Sequence, residues 1–272
     1  MVGPVPEMAP ARVQDAAVAR VPTSMSKASE YLQFFGSDAL KRLHGCAIAE
    51  ADRGSDSPCH DLARPLRRPQ IGLGNPHAPI LFLSPSPLDP ASTSNEAFQT
   101  WLDRESALQQ HLASETVQPY FRFVRAVLLE LRRRFGQTPG KHDPFDFAFH
   151  SWSVRCATEN PDRVTEAAVN QCGERHLEGL LATLAPRAIV AMGGPMARYF
   201  WWRNQNSWEG WKPMTAMHGQ RLTYSQENRS VPVILSVHPY QKDVAYRPEV
   251  IGRALADSMR ASDLEPGEMK AA

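Results

Sequence analysis

No stretch of this chain approaches the roughly 20 consecutive apolar residues that a membrane-spanning helix requires, and the N-terminus lacks the basic flank and apolar core of a secretory signal. These absences lead to the expectation of a soluble, cytoplasmic protein with no membrane partner. Cysteine is scarce, with Cys46, Cys59, Cys156 and Cys172 as the whole complement. Four thiols in an intracellular chain of 272 residues are better explained by metal or redox chemistry than by a disulfide framework. An excess of charge is missing too. A formal net charge of +1 neither announces nor excludes a nucleic-acid partner, since gripping a polyanion needs a local basic strip and not a basic whole. Arg64, Arg67 and Arg68 form one such group. Arg122, Arg125, Arg132, Arg133 and Arg134 form another along a predicted helix, where a solvated helix face is an equal reading. There is no internal repeat and no G-x-G-x-x-G, and Gly72-x-Gly74 precedes a strand instead of following one, which argues against a Rossmann-type nucleotide enzyme.

What is present is the composition of one α/β domain, 42% hydrophobic and 22% charged. Residues 1–24, rich in Ala, Pro and Val without a period, read as a disordered leader, residues 25–260 as the folded domain, and residues 261–272 as a flexible tail. A helix is expected over Lys27–Leu43 with an interruption near Gly36, followed by a polar loop over Asp52–Ser57. Four short, nearly continuous apolar runs, Pro79–Leu83, Phe145–Trp152, Ala188–Met192 and Val231–Val237, read as buried parallel strands. They alternate with helical candidates at Asn95–Leu112, Tyr120–Phe135, Thr165–Leu184 and Pro195–Trp202. This alternation predicts a three-layer α/β/α sandwich on a central four-stranded parallel sheet with right-handed crossovers. Ligands of such sheets sit at the carboxyl ends of the strands, which gathers Ser84–Pro90, Ser151–Cys156 and His238–Lys242 around one site.

Three segments carry a more specific signal. The first runs from Ile71-Gly72-Leu73-Gly74-Asn75-Pro76 through the apolar Pro79–Leu83 into Ser84-Pro85-Ser86-Pro87-Leu88. The second holds Cys156 and Cys172, sixteen positions apart with Pro161, Arg163 and Glu166 between, then Ala188–Met192 and Gly193. The third is Gly219 followed by Val233–Val237, His238 and Pro239. In this order and spacing they resemble the iron-sulfur branch of the uracil-DNA glycosylase superfamily, over roughly Cys46–Lys242.

The resemblance implies an enzyme that flips a base out of DNA and hydrolyses its N-glycosidic bond to leave an abasic site. It implies a nucleoid-associated monomer with DNA as partner. Cys46, Cys59, Cys156 and Cys172 become ligands of a 4Fe-4S cluster, with zinc as the alternative occupant and independent buried thiols as the plain alternative. The first pair departs from the family's close C-x-x-C, because twelve residues separate Cys46 from Cys59. His238 takes the place of the family's histidine that donates to the leaving base, and Tyr240, Gln241 and Lys242 match the loop that wedges into the duplex. Tyr240 reads equally as a surface aromatic. Phe98 stands where the family has the phenylalanine that stacks on the flipped base, core packing being its other reading.

Two loops depart from the family pattern. Pro85 replaces the glutamate, Ser86 stands where relatives have Ala, Asn or Asp, and Pro87 is retained in the base pocket. Since proline activates no water, Asp89 is the nearest carboxylate for that task, with an ordinary turn residue before Pro90 as its alternative, while Ser86 can orient the water. Trp152 occupies the position of the base-reading asparagine, and an indole cannot reproduce bidentate amide pairing to uracil. The expected substrate is therefore something other than plain uracil, a deaminated purine or a bulky modified pyrimidine such as those of phage DNA, with anti-phage defence as the role. A catalytically silent iron-sulfur DNA-binding module is the alternative.

Overall fold

A computed structural model of the protein describes residues 27–52, 69–86, 97–112, 119–137, 144–154, 164–204, 210–226, 229–239, 247–260 and 263. The expected leader, the polar loop after Asp52, and all of the expected tail except Asp263 lie outside them. The strands are β1 (Leu73–Gly74), β2 (Ile80–Ser84), β3 (Ala148–Trp152), β4 (Ala188–Met192), β5 (Arg221–Gln226) and β6 (Arg229–Ser236). The helices are α1 (Lys27–Phe35), α2 (Ser37–Asp52), α3 (Phe98–Leu112), α4 (Pro119–Arg134), α5 (Glu166–Cys172), α6 (Glu178–Leu184), α7 (Gly194–Arg203), α8 (Met214–Met217) and α9 (Pro248–Ala256). A 3-10 turn at Pro144–Phe147 leads into β3, and a π turn at Gly173–Leu177 joins α5 to α6.

The strands make one six-stranded mixed sheet in the order β1-β3-β2-β4-β6-β5. The four apolar runs supply the inner strands, β3, β2, β4 and β6, which all run parallel, although the expected strand over Phe145–Trp152 begins only at Ala148, after the 3-10 turn. The expectation of four strands is corrected at both edges, where β1 pairs antiparallel to β3 and β5 antiparallel to β6. Two residues of β1 are too few to show a period. Gly74 has φ +104, and a Cβ there would lie 2.4 Å from the Ala148 carbonyl oxygen, so this edge closes only over glycine. β5 has charged and polar residues at alternate positions, as a half-solvated edge strand does.

Every residue of β2, β3 and β4 is buried, and alternate side chains serve two different layers. Ile80, Phe82, Ala148, Val190 and Ile234 pack against Phe123, Val124, Val127 and Leu131 of α4 and Ile251 and Leu255 of α9. Leu81, Leu83, Phe149, Ile189, Val233 and Leu235 pack against α5, α6 and α7 on the opposite side. Helices therefore cover both faces. A satellite cluster of Leu40, Leu43, Ile71, Trp101 and Leu102 joins α2 to α3, and Phe35 of α1 links it to Phe149 at a ring separation of 6.1 Å. The break at Gly36, φ +79, falls where the sequence places it.

α4 shows how the sequence writes a helix. Proline opens it, where a missing N–H costs nothing, and the buried positions 120, 123, 124, 127, 128 and 131 form one stripe. Arg132, Arg133 and Arg134 sit in the last turn against the negative end of the helix dipole. Two of these arginines close onto Glu130 at 2.8 Å, while Arg132 is buried with its guanidinium 5.4 Å from the Phe147 ring centre. Of the expected basic strip, Arg122, Arg125, Arg133 and Arg134 are exposed and Arg132 is buried.

α9 was not among the sequence-predicted helices. Its Pro248 at the first position and the apolar pairs Val250/Ile251 and Ala254/Leu255, four apart, are the signal. It lies so close to α4 that a Cβ on Gly252 would fall 2.8 Å from Glu130 Cβ and 2.9 Å from the Val127 carbonyl oxygen. Replacing Gly252 by valine should force the helices apart and lower the unfolding free energy by about 2–3 kcal/mol, as overpacking does. Urea titration against the unmodified protein reads the difference.

Candidate functional site

Because the four inner strands are parallel, their carboxyl ends reach one edge of the sheet. β2 ends in Ser84, facing Trp152 of β3. The ladder continues past the strands: the Ser153 N–H donates to the Ser84 carbonyl at 2.9 Å and the Val154 N–H to the Pro85 carbonyl at 2.9 Å. Ser153 Oγ donates to that same Pro85 oxygen at 2.8 Å. These bonds hold Pro85 and Ser86 down, and Ser86 is 7% exposed.

β4 is followed directly by Gly193, whose N–H donates to the Ser236 carbonyl of β6 at 2.8 Å. Its φ of +84 belongs to glycine, and the space beside it is taken: a Cβ would lie 3.3 Å from Pro85 Cγ and 3.6 Å from His238 Cβ. Pro85, Gly193 and His238, from three separate segments, are therefore neighbours.

His238 follows β6 by two residues. The Val237 N–H before it donates to His218 Nδ1 at 3.3 Å, and the other ring nitrogen of His218 lies 3.1 Å from the Arg247 carbonyl oxygen at the start of α9. Since Nδ1 accepts, the proton sits on Nε2 and donates to Arg247, and burial lowers the pKa of this imidazole below the usual histidine value. On the α4 side the Tyr120 ring lies 6.2 Å from that of His238, and its hydroxyl is 3.0 Å from Nδ1 of His150, a histidine of β3 stacked on Phe82. Burial holds His238 down to about 4 and His150 to about 3. Both are neutral at ordinary pH, so each imidazole has one N–H donor and one lone pair; His150 is buried and His238 half-buried.

Of the residues singled out in the sequence, Ser86, Trp152 and His238 come together at this edge. Pro87, Asp89, Tyr240, Gln241, Lys242, Cys59 and Cys156 lie outside the described residues. Phe98 is half-buried in the satellite cluster, with its ring 5.6 Å from that of His44 and 5.8 Å from that of Trp101. Cys172 is buried at the end of α5 in the core layer on which Phe34 and Phe35 pack, and Cys46 is half-buried on α2, the helix that follows them. Tyr120, His150 and His218 were not predicted. A histidine inside the apolar run Phe145–Trp152 was the available signal for His150; Tyr120 and His218 become visible only once the helix and loop are folded onto the edge. The chain matches no model of a known protein family, and a search among curated proteins finds no match.

His150 and His238 contribute to the response to acid. Their pKa values are lower folded than unfolded, so their contribution to stability is complete above pH 6.5 and is lost as pH falls, through about 4 for His238 and about 3 for His150. Unfolding free energies measured from neutral pH downward should decline, with His150 accounting for about 1.4 kcal/mol per pH unit. The decline should flatten in His150→Phe.

Proposed function

We propose that the chain is a DNA glycosylase of the uracil-DNA glycosylase superfamily, acting on a base other than plain uracil, with bulky modified pyrimidines of phage DNA and an anti-phage role as the finer reading. The observation that carries it is the meeting of His238 with Pro85 across Gly193 at the carboxyl edge of four parallel strands. The inner order β3-β2-β4-β6 and the helices on both faces suit the superfamily's sandwich.

In this reading DNA delivers one extruded nucleotide to the edge. The bond from the sugar to the base nitrogen breaks, the electron pair leaves with the base, and a water oxygen bonds to the sugar carbon while its proton passes to the base or to a nearby acceptor. A neutral His238 donates its N–H to the base as negative charge develops there. Preorganised donors of this kind matter most where water is excluded. Ser86 orients the water. Asp89 is the candidate to take its proton, and Tyr240, Gln241 and Lys242 the candidates to hold the gap in the duplex. Trp152, Pro87 and Phe98 are the pocket residues that the resemblance nominates; of these, Trp152 lies opposite Ser84 on the edge itself and Phe98 in the satellite cluster.

Four thiols are the donor set of a 4Fe-4S cluster; of these, Cys46 is half-buried on α2 and Cys172 is buried at the end of α5. Cys46, Cys59, Cys156 and Cys172 would hold it, and bound there it supplies a structural tie between the α2 region and α5. Zinc suits the same donors, so iron and acid-labile sulfide per chain, with the visible absorption band, decide the metal.

Abasic-site release is to be measured on single- and double-stranded DNAs bearing uracil, hypoxanthine, hydroxymethylcytosine or its glucosylated form. One substrate should be cleaved, and His238→Ala should lower its rate by about 10²–10³-fold. Since burial holds His238 near 4, its titration should leave no inflection in kcat/KM between about pH 5 and 8. Pro85 and Trp152 in place of the family's glutamate and asparagine favour a second reading, a silent DNA-binding module. DNA binding without release of any base would select it.

A further inference from the structure

Two polar groups on the α4 side of the sheet, Ser84 at the carboxyl end of β2 and His150 in the middle of β3, are used by no step above. Among the described residues Ser84 Oγ, Ser86 Oγ and His150 Nε2 are buried without a hydrogen-bond partner. Ser84 is 2% exposed and His150 1%. Native structures keep few such atoms, because each is held at a cost in stability, and a group of them at one place calls for a reason. Ser86 already has one in the water-orienting role proposed above. Ser84 and His150 do not.

Their placement is specific. Ile80 and Phe82 face α4, so Ser84, next but one after Phe82, faces the same way. His150 pairs with Phe82 in register and its ring stacks on it at 5.3 Å and 18°, leaning over β2 toward Ser84's side of the sheet. Nδ1 of His150 is taken by Tyr120, whose ring borders His238. What remains is an uncharged cluster of Ser84, His150, Tyr120, Phe82 and Trp152 beside the histidine assigned to the chemistry. A hydroxyl and an imidazole nitrogen each match a neutral donor or acceptor. A charged ligand group would have to be desolvated there with no counter-charge on these side chains.

Resting on the reading of this edge as a base pocket, we propose that Ser84 and His150 are specificity-determining residues that take a neutral polar group of the extruded base. A base carrying a hydroxyl or lactam group at that point is selected over an analogue of the same shape that lacks it.

The test uses the full chain and free bases, so it does not depend on turnover. Equilibrium binding is compared within two pairs that differ by one polar group, hypoxanthine against purine and 5-hydroxymethylcytosine against 5-methylcytosine. The unmodified protein should favour the polar member of at least one pair by about 10-fold, and Ser84→Ala should cut that preference to about 2-fold or less. The double variant Tyr120→Phe/His150→Phe, which removes both ends of their mutual bond, should do the same. Because Ser84 Oγ makes no internal bond, Ser84→Ala should also raise Tm, by about 2–4 °C. No discrimination in the unmodified protein, discrimination that survives both variants, or a fall in Tm for Ser84→Ala would each overturn the assignment. If it fails while abasic sites are still formed, the glycosylase reading stands alone. If discrimination is seen and no DNA is cleaved, the pocket stands and the enzyme reading falls.

Discussion

The parallel pairing of β2 between β3 and β4 is the interaction on which the rest depends. All five residues of β2 are buried, so its backbone groups have no water to turn to and are satisfied only in the ladder. The pairing continues beyond the strand, with the Pro85 carbonyl accepting from both Val154 N–H and Ser153 Oγ. Parallel strands end on the same side. Segments as far apart in sequence as Ser84–Ser86, Trp152–Val154, Gly193 and Ser236–Pro239 are therefore brought to one edge by backbone geometry, before any side-chain chemistry is considered. An antiparallel arrangement of the same runs would send half of them to the opposite end.

The second constraint is the low polarity of that edge. Desolvation lowers the pKa of both His238 and His150 below the usual histidine value. A neutral imidazole is a weaker acid than an imidazolium, but it keeps one donor and one acceptor through the physiological range. That character suits hydrogen bonding to a neutral partner better than outright proton delivery.

The inner fold was legible because burial on both faces leaves a continuous apolar run: Ala188–Met192 is a strand with the same ends in sequence and structure. The edges were not, since β1 is two residues long and β5 alternates polar and apolar in the manner of many surface segments. The expected single helix over Thr165–Leu184 contains a π turn, at a place where Gly173 lies flush against Tyr199; a Cβ there would sit 2.4 Å from the ring. A widened turn leaves no mark in a 3.6-residue period. In the site, His238 and Ser86 were readable from their positions after apolar strands. His150 and Tyr120 owe their proximity to the packing of α4 on the sheet, a tertiary fact with no local pattern.

The small bridge made by His218 has a mechanical meaning. One ring holds the main chain immediately before His238 on one nitrogen and the last turn of chain before α9 on the other. A rigid planar ring with both ends engaged transmits displacement. α9 is thus tied to the carboxyl edge of the sheet although the bridge lends no side chain of α9 to it, and a displacement of α9 reaches, through one imidazole, the main chain that carries His238.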